Sequence, residues 1–147
     1  MDEQSQSQPI NIVPMGPEHI ETLARLEQVC FSSPWSFDAL AGELSDPLAV
    51  FRVATVNGQV AGYVGMQHIL DEGYICNIAV FPEYRRRGVA TALCDRLERA
   101  AGGRVYTFAS VTARPFFEKR GYVTLRPNEV IRRGVTLTNF LMEKPCF

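Results

Sequence analysis

The chain has 147 residues, 46% hydrophobic and 21% charged, which is one domain's worth and enough to bury a core. Fifteen Lys+Arg against sixteen Asp+Glu leave a formal charge of −1, which argues against a general binder of nucleic-acid phosphates, a class that is usually clearly basic. The polar, acidic start "MDEQSQSQP" is neither a signal nor a transit peptide, and no apolar stretch approaches the ~20 residues of a membrane helix.

Residues 1–8 read as a disordered tail and residues 9–147 as one domain. A short strand is expected from Ile10 to Met15, closed by Gly16-Pro17. Next, Ile20, Leu23, Leu26, Val29 and Cys30 fall at helical spacing, with Pro17 suited to a first turn. "SSPWSFDAL" reads as a turn into a shorter helix with Ser36 as N-cap. Strands "AVFRVATV" and "QVAGYVGMQHIL" flank Asn57-Gly58, a strong hairpin signal. Asp71-Glu72-Gly73 predicts another turn, and "YICNIAVF" the next strand. An amphipathic helix follows, with Val89, Leu93 and Leu97 on one stripe, ended by Gly102-Gly103. Strand "RVYTFA", a helix around "ARPFFEKR", a strand from Tyr122 and a last strand "TLTNFLME" complete the order. Antiparallel strands first and strand-helix-strand alternation later predict a mixed α/β or α+β sheet with helices packed over it.

Cys30, Cys76, Cys94 and Cys146 form no CxxC pair and have no histidine at ligand spacing. They read as free thiols of a reducing cytosol, with no metal expected.

"NIAVFPEYRRRGVATAL" (residues 77–93) concentrates chemistry in a chain otherwise near neutrality. Pro82 punctuates the strand because it cannot donate to a ladder. Three arginines and Gly88 then turn into a helix, whose first amides lack internal partners and carry the positive end of the dipole. Glycine lets a phosphate approach the backbone, so the spacing points to an anion, in particular a phosphate. A P-loop is excluded because GxxxxGK[ST] is missing. A dinucleotide fingerprint is excluded because the turn holds a single glycine.

This stretch resembles the acetyl-CoA-binding motif of the GNAT N-acetyltransferase superfamily, Arg/Gln-x-x-Gly-x-Gly/Ala at the start of the central helix; Arg85, Gly88 and Ala90 match it. The resemblance implies a mixed, mostly antiparallel sheet of about six to seven strands flanked by about four helices. It implies acetyl-CoA as co-substrate and no metal. The pantetheine arm would lie on the backbone of Ile78, Ala79 and Val80. The pyrophosphate would be held by the turn and helix start, Arg86, Arg87, Gly88, Val89, Ala90 and Thr91, with the arginines, Arg85 included, supplying charge. The first two-thirds, from "LEQVCFSSPWS" to "GVATAL", is similar to ribosomal-protein-alanine N-acetyltransferases. The last third, "SVTARPFFEKRGY" onward, is similar to another branch of small GNAT proteins. The alanine-acetylating branch carries an acidic residue on the strand that here reads Val105-Tyr106-Thr107-Phe108, and a tyrosine where Phe117 stands.

The implied activity is transfer of acetyl to a primary amine, with a protein N-terminus as preferred acceptor. A small amine is the alternative acceptor, and a catalytically weak CoA-binding or regulatory module is the alternative role. Glu72 is the candidate base, on a strand face shared with Tyr74, Cys76, Ile78 and Val80 at ~6.5 Å intervals. Phe31 and Trp35 are candidates for the acceptor groove, in the region that forms it in the resembled family. The expected protein is cytoplasmic, a monomer or homodimer, with no nucleic-acid or membrane partner.

Overall fold

The computed structural model describes residues 8–146; apart from Gln8, the expected tail lies outside the described residues, as does Phe147. In chain order the elements are β1 (Ile10–Pro14), α1 (Ile20–Cys30), α2 (Phe37–Gly42), β2 (Ala49–Val56), β3 (Gln59–Ile69) and β4 (Glu72–Val80). They continue with α3 (Val89–Ala101), β5 (Arg104–Ser110), α4 (Arg114–Lys119), β6 (Val123–Arg132) and β7 (Val135–Pro145). The strands form one seven-stranded sheet in the order β1-β2-β3-β4-β5-β7-β6. Every neighbouring pair is antiparallel except β4 and β5, which run parallel with α3 as their crossover.

Local chemistry explains most of these elements. Asn57 and Gly58 take φ 52° and 77°, the left-handed pair that a two-residue hairpin demands. The Ser36 hydroxyl accepts from the Ala39 N–H at 3.1 Å and caps α2. Both sheet faces are covered. On one, α1 and α2 bring Ile20, Leu23, Leu26 and Leu40 against Phe51, Val53, Tyr63 and Ala79. On the other, Val89, Leu93 and Leu97 of α3 pack on Val64, Met66, Ile75 and Val105, with Phe117 and Met142 completing the core. Each such buried side chain contributes about 1.5–3 kcal/mol of transfer energy. The carboxylate of Glu98 on α3 accepts from Arg120, Tyr122 and Lys144 at 2.7, 2.8 and 3.1 Å, tying the helix to the C-terminal strands.

Three expectations need correction. The turn after β3 is Leu70-Asp71 alone, because the ladder already pairs Ile69 with Glu72; Glu72 and Gly73 are strand residues, and Leu70 takes φ 57°. On α1, Val29 is 53% exposed, and Glu27, buried to 1%, occupies the inward stripe instead. The third concerns the face attributed to Glu72, Tyr74, Cys76, Ile78 and Val80. Gly65 pairs with Asn77 but Met66 pairs with Ile75, so Cys76 is an extra residue, a β-bulge. Alternation therefore shifts across it. Ile75 enters the α3 core, and beyond the bulge Ile78 and Val80 enter that same core, while Ala79 joins the α1 side.

Candidate active site

β4 and β5 are paired only from Glu72↔Arg104 to Ile75↔Thr107, although β4 runs on to Val80 and β5 to Ser110. Beyond that point the strands splay. The Phe81 N–H donates to the Ala61 carbonyl, which makes 61/81 a bonded pair of the β3–β4 ladder. By antiparallel alternation, Ile78 and Val80 then turn their backbone groups away from β3, toward the gap. The Ile78 backbone groups and the Val80 N–H are ones an extended chain can pair with, while the Val80 carbonyl already accepts from Arg85.

At the end of β4 the chain makes the turn that leads into α3. Arg86 and Gly88 have φ 64° and 82°, and no side chain caps α3. A Cβ built on Gly88 meets nothing within 4 Å, so the turn opens onto free space. The amides at Val89, Ala90 and Thr91 are uncapped, with the dipole of a 13-residue helix behind them, the arrangement that favours an anion at a helix start. The arginines divide their work. Arg85 folds back, donating from Nε to the Val80 carbonyl at 3.2 Å and from Nη2 to Cys30 Sγ at 3.5 Å. Arg87 lies over the Tyr84 ring at 5.5 Å.

A cleft of about 340 Å³ follows the splay, walled by Phe31, Trp35 and Glu27 from the α1 side and by Thr107, Phe108 and Phe117 from the other. The structure thus brings Phe31, Trp35 and Ile78 to one cleft, with Ala79 and Val80 following on the same strand. Glu72 does not line it. It sits at the closed end of the β4–β5 ladder, where its Oε1 accepts from the Tyr74 hydroxyl at 2.6 Å. Of the nearby titratable side chains, Tyr122 donates to Glu98 at 2.8 Å and His68 Nε2 lies 3.1 Å from the Ala101 carbonyl, and neither lines the cleft.

Two residues passed over in the sequence organise the cleft wall. Glu27 accepts from the Trp35 N–H at 2.9 Å, the Tyr63 hydroxyl at 2.6 Å and Asn77 Nδ2 at 3.3 Å. One carboxylate therefore joins α1, the loop before α2, β3 and the bulged part of β4. Burial, reinforced by the hydrogen bond to Glu27, pushes the Tyr63 phenol up, so it stays a donor. Available signals were an acidic residue four positions after Leu23 on an apolar helical stripe, and Asn77 within an otherwise apolar strand. Cys76 is exposed to the cleft, yet desolvation by its walls, then the charge of Glu43, pushes its thiol up to about 12. It is a protonated thiol and a poor nucleophile. Among the described residues no cluster of His, Cys, Asp and Glu could hold a metal ion, and no helix is long and apolar enough to cross a membrane.

Comparison with known proteins agrees with this geometry. Residues 17–144 match the model of the acetyltransferase (GNAT) domain. The uncharacterized N-acetyltransferase YafP of Escherichia coli K12 is 41% identical over 90 residues, 61% of this chain and 57% of that protein. The E. coli K12 ribosomal protein bS18-alanine N-acetyltransferase is 36% identical over 72 residues, 49% of this chain and 48% of that protein. The chain spans about half the length of the curated relatives it matches. A crystal structure of the E. coli ribosomal-protein-S18-alanine N-acetyltransferase shares the fold with a TM-score of 0.84 at 21% identity, covering 94% of both chains. Arabidopsis thaliana NAA60 in complex with acetyl-CoA shares it with a TM-score of 0.82 at 16% identity, covering 93% of this chain and 98% of that one. With its splayed central strands and its arginine–glycine turn, the chain belongs to the GNAT acetyltransferase domain family.

Proposed function

We propose that the chain is an acetyl-CoA-dependent N-acetyltransferase that passes acetyl directly to a primary amine, with a protein N-terminus as preferred acceptor. The observation that carries this reading is the alignment of backbone at the splay. The gap-facing groups of Ile78 and Val80 lead straight to the open, uncapped turn from Arg86 to Thr91. An extended amide-bearing arm ending in a pyrophosphate fits that path. Ile78, Ala79 and Val80 take the arm, and the amides from Arg86 through Thr91 take the phosphates. Arg85 shapes the end of β4 through the Val80 carbonyl.

The neutral amine attacks the thioester carbonyl, the C–N bond forms, the C–S bond breaks, CoA leaves as thiolate, and the proton shed by the nitrogen passes to water. The Val80 N–H polarises the carbonyl oxygen, by analogy with the resembled superfamily. Glu72 lies outside the cleft and Phe117 has no proton to give, so positioning of two bound substrates is the main source of acceleration. Phe31 and Trp35 form the acceptor wall. The E. coli relative named for ribosomal-protein alanine acetylation supports a peptide N-terminus there.

Acetyl-CoA turnover with a panel of N-terminal peptides and small amines tests the reading. Turnover restricted to small amines would move the acceptor to the alternative class. Binding without turnover would leave a CoA-binding module, and no binding of acetyl-CoA would end the proposal.

A further inference from the structure

Asn77 is 8% exposed and lines the cleft, and its Oδ1 has no hydrogen-bond partner among the described residues. Its orientation is imposed. Nδ2 donates to Glu27 Oε2 at 3.3 Å, and the reversed amide would set a carbonyl oxygen against a carboxylate. Glu27 itself, 1% exposed, is in no ion pair among the described residues and is held only by neutral donors: the Trp35 N–H, the Tyr63 hydroxyl and Asn77. A buried acceptor without a donor, backed by a buried carboxyl group with no cationic partner among the described residues, is a costly arrangement that a proton-bearing ligand relieves.

We propose that Asn77 Oδ1 receives the acceptor's amino group, accepting a hydrogen bond from its N–H, with Glu27 behind it polarising the amide. This deepens the transferase reading, on which it rests, by naming an atom that orients the nucleophile. The donor is the amine rather than an amide of the pantetheine arm because the bulge at Cys76 divides the strand. Asn77 and Ala79 point to the α1 side that carries Phe31 and Trp35, whereas the arm's partners are the backbone groups of Ile78 and Val80 in the gap. With one hydrogen held by Oδ1, the nitrogen's lone pair is aimed instead of tumbling. The wall covers Oδ1, and Phe31 and Phe108 are among its exposed members, so seating an amine calls for the side-chain adjustment common at binding sites. Asn77 is thus a substrate contact, and Glu27 is its positioning residue.

The test uses two CoA derivatives that differ at one atom, the N-propyl amide and the propyl ester of S-carboxymethyl-CoA. The amide presents an N–H where an acceptor nitrogen would stand; the ester presents an oxygen. Calorimetry with the wild-type chain should show the amide binding about tenfold tighter. In Asn77→Leu the preference should vanish while affinity for CoA itself stays unchanged. In Glu27→Gln the new side chain brings its own donor, releases the orientation of Asn77 and should erase the preference as well. Equal binding of amide and ester by the wild type, or a tenfold preference surviving in Asn77→Leu, overturns the proposal. If CoA and both derivatives fail to bind the wild type, the transferase reading falls with it. Should Asn77→Leu fail to fold, judged by its thermal melt, Asn77→Ser and Glu27→Gln decide by the same ratio.

Discussion

The guanidinium of Arg85 donates from Nε to the backbone carbonyl of Val80 at 3.2 Å, so the first arginine of the triplet secures the strand that precedes it. Arg85→Ala removes a charge-assisted bond and leaves the amides of the turn in place. Acetyl-CoA affinity should fall about fivefold, roughly 1 kcal/mol, through a loosened end of β4. Calorimetric titration checks this, and Arg87→Ala, which loses a contact with Tyr84 and a charge but no bond to the strand, should fall less.

Gly88 combines φ 82° with open space above it. Gly88→Val adds about 1–2 kcal/mol of left-handed strain and puts a branched side chain where a phosphate would approach. At ~100 times its dissociation constant, acetyl-CoA should stabilise the wild type by about 2.7 kcal/mol. A melting series with and without ligand should show that gain abolished in Gly88→Val. A retained shift would remove the turn from the binding site.

Trp35 stands 6.4 Å from Phe51, centroid to centroid, and lines the cleft. Trp35→Ala keeps the backbone N–H that Glu27 accepts, but strips the ring from the wall. KM for the amine should rise about tenfold or more, while KM for acetyl-CoA stays within about threefold. Equal increases together with a lowered Tm would mark the ring as a core anchor only.

Glu72 and Phe117 make a contrasting pair. Glu72→Gln should leave kcat and the pH–rate profile within about twofold of wild type, because the carboxylate binds Tyr74 outside the cleft. Phe117, 1% exposed, touches the cleft and packs edge-on against Phe116 and Tyr122 at 5.2 and 5.0 Å. Phe117→Tyr should raise kcat, by up to about 10²-fold if the hydroxyl reaches the departing sulfur, with acetyl-CoA affinity retained. Steady-state kinetics on both variants across pH gives the answer.

Cys76 opens to the cleft, yet desolvation by the cleft walls disfavours its thiolate and pushes the thiol up to about 12. At pH 9 the thiol form prevails. Iodoacetamide labelling of Cys76, followed by mass spectrometry, should therefore be slow at pH 8 and climb about tenfold per pH unit through pH 11. A plateau near pH 9 would mean an ordinary thiol, and acetylated Cys76 trapped during turnover would point to a covalent route.

The order of elements was legible because its signals are local. The Asn57-Gly58 turn, the Ser36 cap and the Val89–Leu93–Leu97 stripe each lie within a few residues of chain. So was the arginine–glycine turn that opens α3, since arginines, a glycine and a helix start are contiguous there. The bulge at Cys76 was not, because a bulge exists only relative to a partner strand, and nothing in "YICNIAV" announces that Gly65 and Met66 straddle it. That one register shift is why a period-two reading put Cys76, Ile78 and Val80 on a single face. It is also why Asn77 went unnoticed as a cleft residue. Glu27 was readable in principle, but the stripe was drawn through Val29, one position to the side of the buried face.

The four-residue ladder between β4 and β5 has a mechanical consequence. It is the only strand pairing that joins the β1–β4 half of the described sheet to the β5–β7 half, so the two behave as plates meeting at a short seam. Cleft width is then set by how far the plates fan apart beyond Ile75 and Thr107, with α3 packed across both of them. A ligand lying along β4 in that fan acts as a splice across the seam, stiffening the whole sheet from its centre.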